Sequence, residues 1–127
     1  MSEDTSAATR HWLATQDIGE CVVSDWVVTE LASALAMKVR TGQIQSDERT
    51  AALSFFQSRM VKTFDLRAVS RANFHRAYEI MNLYTGTLRA ADALHLAIAE
   101  ETQSGFATYD IRQASAAQFL KLVVLEL

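Results

Sequence analysis

The chain has 127 residues, half of them hydrophobic and 21% charged, with a formal net charge of −3. That length suits one domain with its own core, residues 1–127, and the composition leaves no long polar tract to read as disorder. The acidic balance excludes a general attraction to a polyanion, so action on nucleic acid requires a local basic patch or a bound cation.

The start, Met1-Ser2-Glu3-Asp4-Thr5-Ser6, is polar and acidic and lacks the basic and apolar regions of a secretory signal. No apolar run approaches the roughly 20 residues needed to span a bilayer. The only cysteine, Cys21, has no internal disulfide partner, which fits a reducing compartment and a role as small core filler. A cytoplasmic protein with no membrane partner is therefore expected.

Residues 6–16 place Ala7, Ala8, Trp12 and Leu13 on one helical face, and Asp17-Ile18-Gly19-Glu20 reads as a turn before a short apolar strand, 21–24. Ser24 and Asp25 offer capping oxygens to a helix with Val27, Val28, Leu31, Leu35 and Val39 at helical spacing, ending at Gly42. Ser46, followed by Glu48 and Arg49, opens another helix with Ala52, Leu53, Phe56 and Met60 on one face. Residues 63–69 alternate Phe64, Leu66 and Ala68 with Asp65 and Arg67, the pattern of a strand with one polar face.

Ser70 caps the next helix, which carries Phe74, Ala77, Tyr78, Met81 and Leu83 and stops at Thr85-Gly86. An alanine-rich helix follows over 89–103, then a strand over 106–109, a short helix over 111–119 and a last strand over 121–127. With no proline and four glycines, little of the chain interrupts these elements. Strands separated by helices define an α/β protein with a parallel sheet between two helical layers.

In such sheets the ligand site lies beyond the carboxyl ends of the strands, so acids placed there carry the chemistry. Glu30 stands in the second turn of the helix leaving the first strand, Asp92 in the first turn of the 89–103 helix, and Asp110 just after the 106–109 strand. Three carboxylates brought together require a cation, and hard oxygen donors suit Mg²⁺ or Mn²⁺. Periodicity does not decide whether they converge. Taken singly, Asp92 reads as an acid facing a helix dipole and Glu30 as solvated surface, while Asp110 suits a site acid and a helix cap equally.

The other polar and aromatic residues have ordinary readings. His95 lacks a second histidine for a zinc site and reads as packed or partner-bonded. Trp12 and Trp26 suit core or subunit contacts, and Arg67, Arg71, Arg76, Arg89 and Arg112 read as solvated surface.

Three segments together resemble the PIN-domain ribonucleases of the VapC toxin type. Residues 23–35, Val-Ser-Asp-Trp-Val-Val-Thr-Glu-Leu-Ala-Ser-Ala-Leu, resemble the family's strand leading into a helix that bears an acid. Residues 88–97, Leu-Arg-Ala-Ala-Asp-Ala-Leu-His-Leu-Ala, resemble its most recognisable motif, and Ala107-Thr108-Tyr109-Asp110 its strand-end Thr-x-Asp. The resemblance runs from about Glu3 to the C-terminus.

It implies a PIN-like α/β/α fold and a metal-dependent endoribonuclease, the toxin of a type II toxin–antitoxin pair. Glu30, Asp92 and Asp110 are then catalytic, metal-binding carboxylates for Mg²⁺ or Mn²⁺, with Thr108 assisting by hydrogen bonding. RNA is the implied substrate, a cognate antitoxin the implied partner, and a homodimer the implied assembly.

The sequence departs from the family at its start, where an apolar central strand ending in Asp is expected. Asp4-Thr5-Ser6 imitates that motif, but no apolar strand precedes it, and Asp4 stands too near Glu30 to be assigned a catalytic role. The fold is expected to lack the central first strand, leaving two strand pairs in place of a continuous sheet. An upstream start or a degenerate remnant would each explain the departure. A second reading follows, in which the chain is an inactive PIN-like module that engages the antitoxin without cutting RNA.

Overall fold

The computed structural model describes residues 22–108 and 110–125. The helix and turn expected over 6–20, with Asp4, Trp12 and Cys21, lie outside the described residues, as do Tyr109, the last two positions of the final strand and the side chain of Met60. The described elements are, in order, β1 (Val22–Ser24), α1 (Asp25–Arg40), α2 (Ser46–Thr63), β2 (Asp65–Arg67), α3 (Arg71–Leu83), α4 (Ala90–Glu101), β3 (Phe106–Ala107), α5 (Ile111–Phe119) and β4 (Val124–Leu125). The class is mixed α/β, as the alternation of strand and helix patterns indicates. The chain divides into two compact units, Gln16–Ala68 and Met1–Thr15 with Val69–Leu127.

In the Gln16–Ala68 unit, β1 and β2 pair in parallel, with Val22 opposite Asp65, Val23 opposite Leu66 and Ser24 opposite Arg67. The strand expected over 63–69 is shorter than its alternation suggested, because alternation reports which residues share a face while ladder length depends on the partner strand. The Asp65 and Arg67 side chains, two residues apart on one face, form an ion pair at 2.9 Å.

Ser24 stands at the N-cap of α1 with extended backbone (φ −82, ψ 154), yet its side chain makes no capping bond. Its hydroxyl is instead buried without a hydrogen-bond partner among the described residues, so the expected side-chain cap is not made. The far end of α1 follows the sequence: the Thr41 hydroxyl bonds the Met37 and Lys38 carbonyls, and Gly42 takes the left-handed φ of +79 that glycine adopts without steric cost.

At the start of α2 the Glu48 carboxylate reaches back to accept from the Gln45 N–H at 3.0 Å, as in a capping box. Arg49 ties α2 to α1 by donating to the Ala32 carbonyl at 3.4 Å. Ala52 and Leu53 are half-buried as expected, but Phe56 and its neighbour Phe55 are exposed. The expected apolar face of α2 thus stops at Leu53 among these positions.

In the second unit, Ser70 caps α3 with a reciprocal pair of bonds: Asn73 N–H donates to Ser70 Oγ at 3.1 Å, and Ser70 N–H donates to Asn73 Oδ1 at 2.9 Å. The buried face of α3 is Asn73, Ala77 and Ile80. Of the apolar run that the sequence suggests, Ala77 is buried, whereas Phe74, Tyr78, Met81 and Leu83 are exposed. Asn73 is tolerated inside because its amide nitrogen donates to Glu101 at 2.9 Å, completing the polar satisfaction that burial demands.

Arg76 donates to both Glu100 oxygens, at 2.6 and 3.0 Å, and the adjacent carboxylate holds its guanidinium pKa above the usual value. These bonds join the start of α3 to the end of α4, so the two helices run antiparallel. Helix α4 buries Ala93, Leu94, Leu96, Ala97, Ile98 and Ala99, the small alanines allowing close approach. Strands β3 and β4 pair in parallel, Phe106 opposite Val124 and Ala107 opposite Leu125. Among the described residues the strands therefore form two separate two-stranded sheets.

The Ser70 cap has a measurable weight. Ser70→Ala is expected to destabilise the protein by about 0.5–2 kcal/mol, read as a lower urea midpoint with unchanged slope.

Candidate active site

Glu30, Asp92 and Asp110 each sit where their sequence positions indicate. Glu30 lies in the second turn of α1, half-buried, and lines a groove of about 610 Å³. Among the described residues, Trp26, Thr29, Ser33, Ala34, Met37, Lys38, Thr41 and Gln43 complete that lining. The Trp26 indole Nε1 is buried without a hydrogen-bond partner among the described residues. Glu30 is therefore not the fully solvated surface acid that its polar neighbours suggest.

Asp92 is half-buried in the first turn of α4, where the helix dipole favours a negative charge. Among the described residues no hydrogen bond or ion pair engages its carboxylate. An acid that closes no cap and pairs with no cation has both oxygens available to a ligand.

Asp110 performs the capping role open to a strand-end aspartate. As N-cap of α5, its Oδ1 accepts from the Arg112 N–H at 2.9 Å, and Arg112 Nε stands 3.8 Å from the same oxygen. Oδ2 carries no bond among the described residues. Thr108 holds this turn: its hydroxyl accepts from the Asp110 N–H at 3.0 Å and donates to Gln113 Oε1 at 2.9 Å. Gln113 is a contributor that the sequence reading missed; a Thr-x-Asp turn entering a helix was the available signal.

Asp92 and Asp110 belong to one compact unit and Glu30 to the other. Among the described residues no group of three or more His, Cys, Asp or Glu side chains stands ready to hold a metal ion. The donor chemistry nevertheless fits a hard divalent cation, since the unengaged Asp92 carboxylate and the Asp110 Oδ2 offer the oxygens that Mg²⁺ and Mn²⁺ take. His95, one turn after Asp92, is half-buried.

The fold has a solved counterpart. The structure is similar to the crystal structure of FitAcB from Neisseria gonorrhoeae, with a TM-score of 0.74 over 99% of this chain and 86% of that one. At 16% identity the likeness concerns the fold. A comparison with curated protein sequences yields no match. The sequence pattern of the PIN domain matches residues 2–118, and the chain belongs to the PIN domain family. No helix among the described residues is long and apolar enough to cross a membrane.

Proposed function

We propose that the 127 residues act as one PIN-like domain, a cytoplasmic metal-dependent endoribonuclease of the VapC type and the toxin of a toxin–antitoxin pair. PIN domains are generally Mg-dependent nucleases, and the observation that carries the reading here is the unengaged, half-buried Asp92 carboxylate at the start of α4. In this reading Glu30, Asp92 and Asp110 hold Mg²⁺ or Mn²⁺, and RNA is the substrate. When bound, such an ion supplies an activated water and charge stabilisation at a phosphodiester. A cognate antitoxin that covers the acids, and a homodimeric assembly, follow from the same resemblance.

The chain's own residues have separate tasks. Thr108 fixes the backbone at Asp110, whose Oδ1 closes the α5 cap and whose other oxygen would be left to hold an ion. Asp92 contributes charge from a helix anchored by its buried residues from Ala93 to Ala99, which limits its movement. Glu30 adds a third charge from α1.

The test exploits the double role of Asp110. Asparagine caps a helix about as well as aspartate, so Asp110→Asn is expected to keep the stability of the parent while losing Mn²⁺-dependent RNA cleavage. Asp110→Ala is expected to lose cleavage and about 0.5–2 kcal/mol of stability together. Full cleavage by a folded Asp110→Asn protein would reject the metal role and leave Asp110 a cap alone. No cleavage by the folded parent, with chelator and Mn²⁺ compared, would favour the antitoxin-binding module without nuclease activity.

A further inference from the structure

The acidic chain needs a local feature to hold RNA, and α2 supplies one outside the three carboxylates. Phe55 is 56% and Phe56 42% exposed, two phenyl rings turned to water on one helix and set edge to face at 6.1 Å between centroids. The Arg59 guanidinium lies over the Phe55 ring, 5.2 Å from its centroid. Phe55, Arg59 and Lys62 are spaced i, i+4 and i+7, so they share one helical face.

The charge along this stretch is one-sided. From Arg49 to Phe64 the sequence contains Arg49, Arg59 and Lys62 and no acid, in a chain whose net charge is −3. Arg49 is turned toward the Ala32 carbonyl, while Arg59 and Lys62 are exposed and, among the described residues, paired with no carboxylate. Cations near the end of a helix suit its dipole, but the dipole does not account for two exposed rings beside them. An apolar protein partner would have to desolvate both unpaired cations, which is costly. A single-stranded polyanion with flat bases satisfies rings and cations together.

We propose that the Phe55–Arg59–Lys62 face of α2 binds single-stranded RNA, with a base stacked on Phe55 and phosphates held by Arg59 and Lys62. The assignment rests on the nuclease reading and names where that substrate is held. Because stacking is available to every base, the face gives affinity without strong sequence preference.

Fluorescence anisotropy of a labelled ten-nucleotide oligouridylate, measured with the full chain in chelator, reads binding without cleavage. Phe55→Ala is expected to weaken binding roughly 5- to 100-fold, the equivalent of one stacked base, while Phe55→Trp retains it. Arg59→Gln and Lys62→Gln are each expected to reduce the salt slope by about 0.7. Circular dichroism checks that these exposed substitutions leave the fold unchanged.

Parent-like affinity in Phe55→Ala, or no RNA binding by the folded parent, would overturn the proposal. So would unchanged RNA binding accompanied by a change of sedimentation from dimer to monomer, which would make the face a protein interface. Cleavage in Mn²⁺ separates the two readings. Cleavage with binding that ignores Phe55 sinks only this face, whereas Phe55-dependent binding without cleavage sinks only the nuclease.

Discussion

Asp92→Asn is expected to remove Mn²⁺-dependent RNA cleavage while leaving a folded protein. Asparagine is close to aspartate in volume, so the buried surroundings of α4 are not disturbed. The structural loss is limited to the charge facing the helix N-terminus, about 0.3–1 kcal/mol for such a site. No cap or ion pair of Asp92 among the described residues is broken. The loss of activity should exceed the roughly 10–100-fold reduction typical of removing a group behind a metal ligand, because Asp92 is proposed as a ligand itself. Initial cleavage rates at matched Mn²⁺ concentration, with thermal melts of both proteins, check both halves of the expectation.

Leu96→Ala is expected to have the largest effect on stability. Leu96 is fully buried on α4, between the buried pairs Ala93–Leu94 and Ala97–Ile98. Truncating such a leucine costs about 2–5 kcal/mol, from lost transfer energy and the cavity left behind. Against a total stability of about 5–15 kcal/mol, that loss is expected to lower the melting temperature by roughly 10 °C or more. Leu83→Ala provides the contrast, since Leu83 is 56% exposed at the end of α3 and should change stability by no more than about 0.5 kcal/mol. Comparable losses from both substitutions would contradict the assignment of α4 as the buried helix and of Leu83 as surface.

The difference between those leucines shows what the sequence discloses. Helix α4 was readable because Leu94 and Ile98 recur at helical spacing among alanines. Helix α3 was readable as a helix, from Ser70 at its start, but its buried face was not. Of the expected run Phe74, Ala77, Tyr78, Met81 and Leu83, Ala77 alone is buried, and Asn73 and Ile80 turn inward beside it. The deciding partner of Asn73 is Glu101, 28 residues away in sequence, and no local window contains it. The same limit applies on α2, where Phe56 was grouped with Leu53 but is exposed.

For the candidate site, position was legible and engagement was not. Glu30, Asp92 and Asp110 could be placed on their elements from strand and helix patterns alone. Whether each acid was already occupied could not: Asp110 closes α5 through Arg112 N–H, whereas Asp92 has no such duty among the described residues. Thr108 was assigned a hydrogen-bonding role from the resemblance, and its bonds to Asp110 N–H and Gln113 give that role a specific form. Strand lengths were overestimated for a related reason, since the number of paired residues depends on both strands.

The central proposal is that Glu30, Asp92 and Asp110 each contribute to divalent-ion binding, and Mn²⁺ binding followed by electron paramagnetic resonance tests it most directly. The folded parent is predicted to bind one Mn²⁺, with affinity reduced in each of Glu30→Gln, Asp92→Asn and Asp110→Asn. Absence of Mn²⁺ binding by the parent, or parent-like binding in all three variants, would contradict the account.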